Sequence, residues 1–102
     1  MTLLDIRKDL KTIKYYYAMK NVFDRNSKEL MPRKIVETVH KYGKAINDSE
    51  GELYVFYTEL YVNGATQTDL ADYLGVTREC ISRRHKKLIQ YLQDYFNKEV
   101  IV

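Results

Sequence analysis

Five cations crowd the short stretch from Thr77 to Leu88: Arg78, Arg83, Arg84, Lys86 and Lys87, against the single anion Glu79. On a helix, Arg78, Glu79, Ser82, Arg83 and Lys86 fall away from the apolar pair Ile81 and Leu88. A helix of this kind fits the major groove of B-form DNA, where residues near its start reach base edges. Arg78 and Arg83 have the forked geometry for bidentate bonds to guanine. Glu79 can accept from a cytosine amino group, and Ser82 can serve either base type. These four are the candidate base readers. Thr77, Lys86 and Lys87 are candidate phosphate contacts, with Thr66, Gln67 and Thr68 at the start of the preceding helix.

Those side chains need a scaffold that presents them, and the stretch Thr66 to Leu92 encodes one. Thr66, Thr68 and Asp69 offer oxygens to the unpaired N–H groups of a helix start. Leu70, Ala71 and Leu74 follow at i, i+1 and i+4, which predicts one apolar face with a small residue at its middle. Gly75 suits the left-handed residue that ends a helix. Val76 then fills the space between two helices, and Thr77 caps the second. The pattern is a helix-turn-helix, with its second helix over 78–92.

Before this motif the periodicity is helical throughout. Residues 2–26 lack Gly and Pro and predict one long helix, with Leu3, Ile6, Leu10, Ile13 and Tyr17 at alternating spacings of three and four. That seam has two readings, an amphipathic helix packed on its own domain or a dimerisation helix. Tyr15, Tyr16 and Tyr17 point about 100° apart, so at least one must lie at the surface or an interface. Asn26-Ser27-Lys28 reads as a break. Pro32 suits the first turn of a second helix reaching about Lys44, burying Ile35, Val36, Val39 and Tyr42. A third helix, about 50–62, sets Leu53, Phe56, Tyr57, Leu60 and Tyr61 in a buried stripe that Asn63-Gly64 ends. Leu88, Ile89, Leu92, Tyr95 and Phe96 prolong the stripe of the last helix, and the apolar end Val100-Ile101-Val102 suggests docking on the first helix or on a second subunit. The expected fold is all-α, about five helices, divided into an N-terminal helical region at 1–47 and a helix-turn-helix region at 48–102.

Composition narrows the function. The chain of 102 residues carries a net charge of +3, 30% charged and 45% hydrophobic residues, four Gly and one Pro, which favours a small globular helical domain. The first fifty residues hold eleven cations and seven anions spread along helices, the pattern of a solvated face. Cys80 is the sole cysteine and reads as a small half-buried filler; it forms no disulfide within the chain and builds no metal site alone. His40 beside the second helix's stripe has no companions at metal-ligand spacing. No apolar run nears the roughly 20 residues that span a bilayer, and Asp5, Arg7 and Lys8 interrupt any signal-peptide pattern. The expectation is a cytoplasmic protein without cofactor or metal. Paired carboxylates, a nucleophile with its base and a phosphate-cradling glycine loop are all missing from the sequence, so it does not read as an enzyme.

The run Val76-Thr77-Arg78-Glu79, with Ile81, Lys87-Leu88 and Leu92, resembles the helix-turn-helix of region four of bacterial primary sigma factors, which reads the promoter −35 element. In that family the positions matching Arg78, Glu79, Ser82 and Arg83 contact DNA, and a helix like the third one here packs across the motif. Arg84 departs from the pattern, occupying a usually apolar, inward position. The first half, with Asp5-Ile6-Arg7-Lys8-Asp9-Leu10-Lys11 and Tyr15-Tyr16-Tyr17, resembles small phage and prophage transcription regulators of the ArpU and RinA kind. The resemblance implies a transcription regulator of phage or mobile-element genes that binds double-stranded DNA, expected to act as a homodimer over two half-sites. Three alternatives stand beside it: a sigma-like adaptor that also contacts RNA polymerase, a helical protein-interaction module without DNA, and a DNA-gripping packaging component.

Overall fold

The computed structural model is a set of helices joined by turns. The structure describes residues 1–26, 32–49 and 51–100. Helix α1 spans Leu3–Asn26, α2 Arg33–Asn47, α3 Gly51–Tyr57, α4 Gln67–Leu74 and α5 Arg78–Val100. A π-helical turn, Thr58–Val62, continues α3 without a break. No strand occurs among the described residues, so the fold is all-α. The break after Asn26 and the end of the apolar tail at 101–102 lie outside the described residues.

α1 opens with a capping box. Thr2 Oγ1 accepts the Asp5 N–H at 3.2 Å, and Asp5 accepts the Thr2 N–H at 3.0 Å. The Thr2 backbone N–H first, and its side chain second, hold the Asp5 pKa below its ordinary value. α2 begins one residue after Pro32 and passes through Gly43 to Asn47, about a turn beyond the predicted end. A glycine inside a helix weakens it only modestly, and burial of Ala45 and Ile46 just beyond offsets that loss. The widened turn after α3 is marked by the Asn63 N–H donating to the Thr58 carbonyl at 2.9 Å, five residues back. It turns Phe56, Tyr57 and Leu60 into the core together.

One core joins all the helices. Ile6, Leu10 and Ile13 of α1 are fully buried in it, with Tyr42 and Ile46 of α2 and Ile81, Leu88 and Leu92 of α5. Thus the first of the two readings of the α1 seam holds for these three residues. Their surfaces are spent inside the chain's own domain and offer nothing to a second copy. Leu3, at the head of that seam, is 46% exposed, and Tyr17 is half-buried at the edge of the core. The regions 1–47 and 48–102 accordingly share a hydrophobic interior. Of the three consecutive tyrosines, Tyr15 is exposed, while Tyr16 and Tyr17 meet edge to face at 5.0 Å.

Polar ties run between α2 and the ends of α1 and α5. The buried Tyr42 hydroxyl donates to Asp9 at 2.7 Å, and its ring lies 4.8 Å from that of Phe96. Burial first, and the Asp9 carboxylate second, push the Tyr42 pKa far up. Tyr91 donates to the Ala45 carbonyl and Tyr95 to Asp48, at 2.7 and 2.9 Å. The amino group of Met1 donates to Asn97 at 3.0 Å. The C-terminal half of α5 is therefore an anchor, fastened to α1 and α2, and its N-terminal half projects beyond it.

Candidate nucleic-acid interface

α4 and α5 follow one another across the short turn at Gly75–Thr77, and that joint is locally encoded. Thr66 sits in extended backbone and accepts the Asp69 N–H at 3.0 Å, while Asp69 accepts the Thr66 N–H at 3.3 Å, a complete capping box. α4 ends in Gly75 at φ 68°, ψ 32°, a left-handed conformation that costs glycine little. The Val76 N–H reaches the Ala71 carbonyl at 3.0 Å and the Gly75 N–H the Asp72 carbonyl at 3.3 Å. Together these close a Schellman motif and satisfy carbonyls that would otherwise be orphaned at the helix end. Thr77 then accepts the Cys80 N–H at 3.2 Å and starts α5.

Only part of the expected apolar face of α4 turns inward. Leu70 and Ala71 are buried, whereas Leu74 is 44% exposed. Leu74, expected on the inner face, instead borders an open cavity between α3, α4 and α5. Val76 is half-buried against the core between the two helices, as its plug-like position suggests.

The candidate contact residues share the accessible end of this unit. Arg78, Glu79, Arg83, Lys86 and Lys87 are exposed, and Ser82 is half-buried. Thr66, Thr68 and Thr77 are exposed, and Gln67 is half-buried. Glu79 and Arg83 approach to 4.0 Å one turn apart, with side chains 87% and 76% exposed, a loose pair in water. Arg78, Glu79, Ser82, Arg83 and Lys86 remain free to meet a partner along one side of α5. Lys87 lies further round the helix and borders a cavity shared with α3 and α4. Cys80 is half-buried at the start of α5.

Two side chains of α5 behave as the sequence alone could not show. Arg84, at the position that the sigma-like pattern keeps apolar, reaches Glu52 on α3 at 3.8 Å with its side chain about one-third exposed. An exposed acid from a neighbouring helix thus faces its charge across the surface. His85 is held from beneath by Tyr61 of the π-turn, whose hydroxyl lies 2.5 Å from His85 Nε2. Burial, and secondarily the Arg7 charge on α1, lower the His85 pKa from its usual 6.5. Burial pushes the Tyr61 hydroxyl up to about 12, against a small opposing pull from Arg7. Both shifts favour the neutral forms, and the two groups share a hydrogen bond whose direction follows the imidazole tautomer. The bond ties α5 to the π-turn beneath it. Sequence reasoning missed it, although His85 next to the Ile81–Leu88 stripe was a usable signal.

No group of His, Cys, Asp or Glu that could hold a metal ion occurs among the described residues. No described helix is long and apolar enough to cross a membrane. Comparison with known protein families, with curated proteins and with solved structures gives no significant match.

Proposed function

We propose that this chain is a sequence-specific double-stranded DNA-binding transcription regulator that reads the major groove with the leading half of α5. One observation carries the reading: Arg78, Glu79, Arg83 and Lys86 stand exposed on a helix whose start is set by the Gly75 turn and the Thr77 cap. The anchored C-terminal half of α5 is the complement of this arrangement, because a reading helix must be held rigidly to discriminate bases. Arg78 and Arg83 read guanine, Glu79 a cytosine amino group and Ser82 a neighbouring base, while Lys86, Thr77 and the start of α4 grip phosphates. The protein acts by binding and not by catalysis. The setting among phage or mobile-element genes follows from the resemblance to the ArpU and RinA regulators.

Selection of bound duplexes from a random pool, followed by titration of the recovered site at several salt concentrations, tests the proposal. The expected result is one enriched short motif, with affinity that falls as salt rises because bound phosphates release counterions. Recovery of no motif, with no retention of duplex DNA in dilute buffer, rejects it. An asymmetric single element would instead favour the sigma-like adaptor that also contacts RNA polymerase.

A further inference from the structure

On the flank of α5 away from the candidate reading face, α3, α4 and α5 enclose an open cavity of about 640 Å³. Its wall includes Val55, Tyr73 and Leu74, which are 59%, 85% and 44% exposed. A contiguous group of large apolar side chains left in water marks a binding surface more often than chance exposure. The polar border of the cavity is divided by element. Glu52 and Glu59 come from α3 and its π-turn, and Arg84 and Lys87 come from α5. Glu52 and Arg84 pair within the chain, whereas Glu59 and Lys87 have no ion-pair partner among the described residues.

Such a patch is its own complement. A two-fold interface places the same surface on both sides, so it must contain both members of every pair it makes. An axis running along the cavity turns the acidic side of one copy onto the basic side of the other, with the apolar wall between them. We propose that a second copy of this chain covers this face, setting Glu59 of each copy against Lys87 of the other around a core of Tyr73, Val55 and Leu74. The dimer surface is therefore on α3 and α4, and the α1 seam stays inside each subunit. Measured from Lys87, Glu79 and Lys86 stand about 80–100° around α5 and Arg78 about 180°.

The test is the oligomeric state of the full chain by sedimentation velocity over roughly 1–100 µM, a range in which a moderate dimer dissociates. Wild type should move from monomer to dimer across it. Tyr73→Asp alters an exposed side chain, so the fold should persist by circular dichroism while dimer dissociation rises at least about tenfold. Glu59→Lys and Lys87→Glu should each weaken self-association, because each creates two like-charge contacts. Mixed in equal amounts, the two variants should form a heterodimer, since one copy then supplies two cations and the other two anions. A wild type that stays monomeric throughout, a dimer indifferent to Tyr73→Asp, or a mixture that remains monomeric overturns the proposal. A monomeric wild type would assign the cavity to another occupant, such as an amphipathic helix of a different protein. None of these readouts depends on DNA binding.

Discussion

The same substitution, glycine to alanine, should have opposite signs at two positions of this chain. Gly75 holds φ 68°, and a Cβ built on it meets no atom within 4 Å. Space is therefore not the obstacle, and the whole penalty is the left-handed backbone, about 1–2 kcal/mol for an L side chain. Alanine also restricts the unfolded chain, which returns about 0.4–1 kcal/mol. The net loss for Gly75→Ala is then about 1 kcal/mol, or about 4–8 °C in Tm for a domain of this size. Gly75→Asn should lose less, because asparagine visits this region more readily. Gly43, by contrast, lies inside α2 with ordinary helical backbone and equally open space. Gly43→Ala should raise stability by about 0.5–1 kcal/mol. Urea unfolding of the three variants, with equal slopes required across them, measures the differences. A Gly75→Ala protein as stable as wild type would refute the claim that a left-handed residue joins α4 to α5. A destabilised Gly43→Ala would refute the assignment of the whole effect to backbone conformation.

Arg78→Ala should cost about 1–3 kcal/mol on the selected DNA site and much less on unrelated duplexes, whereas Lys86→Ala should weaken both alike and reduce the salt slope by about 1; competition binding with both DNAs separates the two. Stability should decline as pH falls below 6.5, the usual His85 value, because the unfolded chain then takes up a proton that folded His85 resists. His85→Phe should flatten that part of a Tm-against-pH curve, and an unchanged curve would mean that His85 does not govern it. Ala71→Leu should lose about 1–3 kcal/mol by overpacking the core, read as a lower urea midpoint, since Ala71 is buried there.

The start of α4, the elbow and the start of α5 were legible without any tertiary information, and particular residues show why. The capping box of Thr66 and Asp69, the left-handed Gly75 and the Thr77 cap each close hydrogen bonds within a few residues. Such features depend on immediate neighbours, so residue types and spacing suffice to predict them. The inward stripes of α1, α3 and α5 were legible for the same reason, as helical period alone decides which side chains share a face. Charge on α5 could be counted directly, which is why Arg78, Glu79 and Arg83 stood out before the fold was known.

Which face is covered, and by what, was a different matter. Ile6, Leu10 and Ile13 fit a dimer seam or a private core equally well until α2 and α5 were seen to fill the space beside them. Leu74 has the spacing of a core residue but is left 44% exposed, and Arg84 has the position of one but meets Glu52, thirty-two residues away. The Tyr61–His85 bond likewise joins residues brought together only by the packing of the π-turn under α5. Backbone caps and helical period come from forces acting over one or two turns, so the sequence by itself determined the rods and their joints. Burial and ion pairing come from rods far apart along the chain, so only the tertiary structure decided which side of each rod meets water.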